Sequence, residues 1–304
     1  MKYPENLREF DKIFKDDETC LKFLEKIRWR DGFECQACGS DKYWLISTGL
    51  RKCSVCHFAN SVKVGTIYES SRLPLKTWFY AIWWMTSQKT GVSALNLQKN
   101  LGLGSYRTAW LLLHKIRNSM VHADRSLLKG EVEVDEAFIG GFKSGKRGRG
   151  AEGKELVVIA AECSGKKRVG RIRIQRVPDA TSENLEAFIM ANIESGSIIH
   201  TDGWKSYGDV KFLDFKHLPR KSATVDPDEL LPRINTVTAL LKRWLMGTLH
   251  GRLDPKHMDS YFEEFVFRFN RRTSAVRGLL FQRVLENSIR ISPTPYKEIT
   301  SKQP

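Results

Sequence analysis

Four cysteines fall within residues 35 to 56 as two Cys-x-x-Cys pairs, Cys35 with Cys38 and Cys53 with Cys56, separated by residues 39 to 52. Each pair supplies two thiolates at a tight turn, and two such pairs complete the tetrahedral four-sulfur shell that Zn2+ accepts. A redox role needs only one pair, set in a thioredoxin-like unit, so the doubled spacing points to metal in a reducing compartment. His57 follows Cys56, but four thiolates already fill the shell. Cys20 and Cys163 stand apart from this group.

A second set of residues could hold harder ions. Two-metal phosphoryl transfer needs a few oxygen ligands converging from distant parts of a chain, because Mg2+ and Mn2+ take carboxylate and carbonyl oxygens. Asp135 closes the run Glu131-Val132-Glu133-Val134, whose acids share one face of a strand and whose valines share the other. Asp202 follows the apolar Ile198 and Ile199 where a buried strand emerges, just before Gly203, and His200 shares its face. Candidates for a third ligand are Asp226, Asp228 and Glu229 in the segment VDPDELLPR and Asn235 after it. Charge alone favours Glu229.

These residues need elements to position them. Residues 131–140, 155–163 and 168–177 read as three strands, Ser182 to Ile193 as a helix, Ser197 to Thr201 as a further strand and residues 233–249 as a helix. That α/β order is compatible with an RNase H-like fold. Upstream, residues 75–88 are apolar around most of a helical wheel and predict a buried helix. A short helix from Ser93 to Asn100, a turn holding Gly102 and Gly104, and a helix capped by Ser105 and running to Met120 have a helix-turn-helix outline. On the last helix Ala109, Leu112, Leu113, Ile116 and Met120 share one face. Arg107, His114, Lys115 and Asn118 lie off it, on an arc suited either to a major groove or to the solvated side of a small bundle. The predicted layout is a helical segment at 1–30, a zinc ribbon at 31–62, a helix-turn-helix-like region at 63–124, an α/β catalytic domain at 130–290 and a tail at 291–304.

The partner is indicated by charge. Lysine and arginine number 50 against 35 acids, for a net charge of +15 and a pI near 9.6, which favours a polyanion, with nucleic acid first. Cations and rings interleave around the cysteines at Arg28, Trp29, Arg30, Lys42, Tyr43, Trp44, Arg51 and Lys52, a mixture suited to phosphate contact and base stacking. The glycine-rich segment GFKSGKRGRGAEGKE adds Lys143, Lys146, Arg147 and Arg149. A membrane partner is not expected: the most apolar stretch, Leu73 to Met85, is short and interrupted by Lys76. The opening MKYPENLREFDKIF lacks the apolar run of a secretory signal, so a cytoplasmic protein is predicted.

Several stretches together resemble a known family. The two Cys-x-x-Cys pairs, GTIYESSRLPLKTWF at 65–79, EVDEAFIGG at 133–141, HTDGWKSY at 200–207, INTVTALLKRWLMGTLHG at 234–251 and EEFVFRFNRR at 263–272 cover most of residues 30 to 275. In order and spacing they are similar to insertion-sequence transposases that join an N-terminal zinc ribbon to a DDE-type RNase H-like domain, in the branch where asparagine can replace the last glutamate. The resemblance implies a metal triad of Asp135, Asp202 and Asn235 in place of Glu229. Lys242, seven residues on and on the same helical face as Asn235, becomes a DNA-phosphate contact, with Arg243 beside it. It further implies a structural Zn2+, catalytic Mg2+ or Mn2+, and DNA partners in the form of element ends and target. A homo-oligomer on paired ends and a nucleoid-associated setting in a bacterium or archaeon complete what it implies. An amide oxygen holds a cation more weakly than a carboxylate, so a catalytically idle DNA-binding derivative is the alternative.

Overall fold

The computed structural model describes residues 3–121, 125–140, 154–165, 168–220, 230–250, 253–276 and 278–300. It divides into two compact units, residues 1–122 with 274–304, and residues 123–273.

In the first unit, α1 (Leu7–Ile13) and α2 (Asp17–Arg28) precede a small sheet of β1 (Tyr43–Leu45), β2 (Arg51–Cys53) and β3 (Ala59–Asn60), all antiparallel. Then come α3 (Leu75–Ser87), α4 (Ala94–Leu101) and α5 (Tyr106–Asn118). Local sequence sets these boundaries. Asp16 and Thr19 form a reciprocal capping box on α2. Ser93 and Ser105 accept from the backbone N–H of Asn96 and Thr108 to start α4 and α5, and Gly102 ends α4 at φ 59°, where a side chain would be strained. The start of α3 has no side-chain cap of its own; the Asp17 carboxylate serves instead, accepting from the N–H groups of Leu75 and Lys76 at 3.1 and 2.9 Å. As its composition requires, α3 buries Trp78, Phe79, Ile82, Trp83 and Met85.

The second unit is one five-stranded mixed sheet between two helical layers. Its strands are β4 (Glu131–Gly140), β5 (Lys154–Ser164), β6 (Arg168–Arg176), β7 (Ile198–His200) and β8 (Lys216–His217), in the order β6-β5-β4-β7-β8. β4, β5 and β6 pair antiparallel, whereas β7 and β8 run parallel to β4. Helix α6 (Ser182–Asn192) covers one face, where Val132, Val134, Val158, Phe188 and Ile189 pack together. On the other face, α7 (Pro232–Leu249) and α8 (Met258–Phe269) bury Ile139, Ile159, Ile172, Leu241, Leu245 and Phe262. The unbroken apolar run Val157 to Ala161 of β5, buried throughout, requires helices on both sides, and this strand order with this helix placement is the RNase H-like topology.

One boundary differs from expectation. The catalytic domain was expected to run to 290, yet α9 (Gly278–Ser288) belongs to the first unit, followed there by α10 (Tyr296–Thr300). The reason is aromatic packing: Phe281 lies against Phe10, Phe14, Phe79 and Trp83, with ring centroids 5.6 to 5.9 Å apart. Close approach also holds α9 there, because a Cβ on Gly278 would meet the Pro4 carbonyl oxygen at 2.6 Å. The ribbon and the two predicted N-terminal modules likewise join in this unit rather than standing as separate bodies.

Candidate active site

The four-cysteine group forms a cage. Cys35, Cys38, Cys53 and Cys56 place their sulfurs within 4.8 Å of one another, with Cys35–Cys56 and Cys38–Cys53 both at 3.6 Å. Zinc–sulfur bonds of ~2.3 Å in a tetrahedron put sulfurs ~3.8 Å apart, so the donor set fits Zn2+ in kind and in size. Burial works against a thiolate at Cys35, but the N–H groups of Ala37 and Cys38 and the Asn60 amide aim at its sulfur and bring the thiol down to about 6. That favours a thiolate at Cys35, while the adjacent sulfurs hold the Cys38 and Cys56 thiols above their usual range, because four sulfurs this close cannot all ionise unless a cation lies among them. His57 is exposed, turns the chain at φ 59° and is not part of the cage.

The sheet brings the first two acids together. β4 and β7 run in parallel with Glu133 opposite His200, and Asp135 and Asp202 lie two residues further along each chain. Both line a cleft of about 860 Å³, together with Glu136, Lys154, Trp204 and Ser206. One oxygen of each acid is fixed by backbone: Asp135 Oδ1 accepts from the Glu136 N–H at 2.9 Å, and Asp202 Oδ1 accepts from the Trp204 N–H at 2.8 Å. The second oxygen of each has no protein donor among the described residues. Burial raises the Asp135 carboxyl to about 7, opposed by its hydrogen bond from Glu136 and reinforced by the charges of Glu136 and Asp202. Two acids at one cleft, each with a spare oxygen and neither in an ion pair among the described residues, are a donor set that suits a divalent ion.

Asn235 is exposed in the first turn of α7 and is not among the residues lining that cleft; Lys242 and Arg243 are exposed further along the same helix. Asp226, Asp228 and Glu229 lie outside the described residues. His200, expected on the Asp202 face, is buried and directs its Nε2 to Glu131 at 3.2 Å instead of lining the cleft. Sequence reading missed Glu136 and Tyr207 as neighbours of the acids. Tyr207 is fully buried, and burial followed by the charges of Glu136 and Asp135 pushes its phenol well above 10. Both sit inside stretches already singled out, EVDEAFIGG and HTDGWKSY, but polarity alone gave no reason to prefer them.

Two predicted DNA contacts need correction. His114 is only 3% exposed and stacks on Trp110 with centroids 4.2 Å apart, so it belongs to the packing of α5 rather than to its polar arc. Arg51 is committed within the ribbon, paired with Glu25 at 2.7 Å and stacked over Trp29 at 4.0 Å. Lys52 lies near Trp44, partly exposed. Arg107 is exposed beside Tyr296, 4.1 Å from the ring centroid, and Lys115 is half-buried, its ammonium lowered by that burial. Lys143, Lys146, Arg147 and Arg149 lie outside the described residues. No helix among the described residues is long and apolar enough to cross a membrane.

Comparison with known proteins agrees with this division. Residues 15–58 match the transposase zinc-ribbon domain, and residues 127–270 match the ISXO2-like transposase domain. A Halobacterium salinarum protein described as an uncharacterized protein in transposable element ISH50 is 24% identical over 285 residues, covering 84% of this chain and 94% of the relative. A cryo-electron-microscopy structure of a simian T-cell lymphotropic virus intasome with PP2A regulatory subunit B56 gamma is 15% identical at a TM-score of 0.33, covering 69% of this chain and 72% of that one. That last likeness is too slight to add to the strand topology. The two domain matches lie in the expected order, one over the four-cysteine cage and the other over the sheet that carries Asp135 and Asp202, and the chain belongs to the insertion-sequence transposases that join a zinc ribbon to an ISXO2-like transposase domain.

Proposed function

We infer that this transposase hydrolyses DNA at the ends of its own element and joins the freed 3'-hydroxyl to target DNA, using Mg2+ or Mn2+ held by Asp135, Asp202 and Asn235. The observation that carries this reading is the placement of Asp135 on β4 and of Asp202, two residues past the end of the adjacent parallel strand β7, at one cleft. When bound, the ions would neutralise charge on the scissile phosphate and activate the attacking oxygen.

The work of the protein is then positioning. The backbone N–H groups of Glu136 and Trp204 fix one oxygen of each acid, which orients the other toward the cleft. Lys242 and Arg243, exposed on α7, contact phosphates beside the site, and Lys154 at the cleft adds positive charge. The ribbon, with Lys52 and the exposed Tyr43 and Trp44, and the exposed start of α5 around Arg107 hold the DNA that the acids cut. The basic segment holding Lys143, Lys146, Arg147 and Arg149 adds non-specific phosphate contact. Paired ends require two active sites, so the working form is a homo-oligomer on DNA, in the cytoplasm with the nucleoid.

The reading is tested by incubating the zinc-loaded protein and Mn2+ with duplexes that end in the sequences flanking its gene. Wild type is expected to nick at the element boundary and Asp135→Ala to leave the duplex intact while still binding it. Equal cutting by both would overturn the assignment.

A further inference from the structure

The carboxylate of Glu133 does work that its sequence context does not announce. It is fully buried on β4, one pleat before Asp135 and on the same face of the sheet. Helix α7 begins with Leu231 as its N-cap and has no side-chain cap of its own, and Pro232 at its first position has no N–H to satisfy. The next two N–H groups, of Arg233 and Ile234, donate to Glu133 Oε2 at 2.8 and 3.2 Å. Glu133 is therefore the cap of the helix that carries Asn235, supplied from a residue a hundred positions away in sequence, and its negative charge sits at the positive end of the helix.

The other oxygen gathers two guanidinium groups. Arg233 donates to Oε1 at 2.7 Å and anchors its remaining nitrogens on the carbonyls of Gly165 and Arg168. Arg220 donates to Oε1 at 3.4 Å and to the Leu230 carbonyl at 3.1 Å, while its backbone N–H donates to the Thr201 carbonyl at 2.8 Å. Every element of the triad is thus held within two residues of its ligand: β4 at Glu133 before Asp135, the end of β7 at Thr201 before Asp202, and α7 at Arg233 and Ile234 before Asn235.

We propose that Glu133, through Arg220, Arg233 and the first turn of α7, is the positioning residue that sets Asn235 against the two aspartates. This rests on the reading of Asn235 as an ion ligand. A neutral amide oxygen attracts a cation less than a carboxylate does, so its contribution depends on being held in place, and the buried clamp supplies that. Glu133 itself has no oxygen left for an ion.

The test is a double-mutant cycle on the dissociation constant of Mn2+, read by water-proton relaxation on the full zinc-loaded chain without DNA, with zinc content and thermal unfolding measured alongside. Asn235→Ala is expected to weaken Mn2+ binding. Glu133→Gln, which turns an NH2 toward the guanidiniums, is expected to weaken it roughly tenfold or more, in the range of outer-shell substitutions at metal sites. The combined variant is expected to bind no more weakly than the weaker single one, because both act through one ligand. If Glu133→Gln yields too little folded protein, Glu133→Leu with Arg233→Met removes the clamp without stranding a buried charge and is expected to give the same weakening. Asn235→Ala weakening Mn2+ while both Glu133 variants leave it unchanged, or effects that multiply in the combination, would overturn the positioning role alone. An Asn235→Ala variant with unaltered affinity would overturn the ligand reading and the proposal with it.

Discussion

Asp135 on β4 and Asp202 just past the end of the neighbouring parallel strand β7 each lie two residues beyond the paired Glu133 and His200, and each has one carboxylate oxygen held by a backbone N–H. Like charges held this way repel unless a cation lies between them, and that tension makes the pair measurable apart from any reaction.

Asp135→Asn should raise the melting temperature of protein free of divalent ions by a few degrees at pH 8. Burial, with Glu136 and Asp202, raises the Asp135 carboxyl to about 7, so folding favours its protonated form. The resulting penalty is full above about 7 and disappears as pH falls toward the unfolded value near ~4. The gap between variant and wild type should therefore narrow from pH 8 to pH 5. Thermal scans across this range check it, and a variant less stable than wild type at pH 8 would contradict it.

Cys38→Ser should release zinc from the ribbon and weaken DNA binding, since the sulfur cage loses one of four closely spaced donors. Metal analysis of the purified variant decides the matter: zinc retained at one per chain would exclude the four-thiolate site.

His114→Ala and Arg107→Ala should separate packing from DNA contact on one helix. Removing the buried His114 ring from Trp110 should destabilise the protein by ~2 kcal/mol and leave DNA affinity unchanged. Removing the exposed Arg107 should leave stability nearly intact and reduce the salt dependence of DNA affinity by about one counterion. Denaturant melts and binding at several salt concentrations give both values; the opposite pattern would restore His114 to the DNA face.

DNA affinity of the whole chain should fall steeply between low and physiological salt, because a chain of net charge +15 that neutralises phosphates releases their counterions. Fluorescence anisotropy with a labelled duplex measures it, and a flat dependence would contradict docking through the basic surface.

How far the sequence revealed all this depends on the distance over which each signal acts. The strands of the second unit were readable because Glu131-Val132-Glu133-Val134-Asp135 alternates with the pleat, and Asp202 because an acid follows two isoleucines before Gly203. The cysteine cage was readable from spacing alone. Asn235 was not, since its chemistry is weaker than that of the nearby Glu229, and only resemblance to a family preferred it. The Glu133 clamp was invisible because its partners lie about a hundred residues away and an acid in an alternating run reads equally well as a solvated edge. His114 and Arg51 misled for the same reason: polarity marks residues able to face solvent, whereas packing against Trp110 and Trp29 decided where they went. The boundary at 273 depended on Phe281 finding the aromatic cluster around Phe10 and Phe79, a contact that no local pattern announces.

The most direct measurement is strand joining by wild type and Asp202→Ala on duplexes carrying both flanking ends and a plasmid target, in Mg2+ or Mn2+. Wild type should yield cleaved ends and end-to-target products that need the metal, and Asp202→Ala should bind the ends with unchanged affinity and yield neither. Binding without cleavage by either protein would contradict an active transposase and leave a DNA-binding derivative in its place.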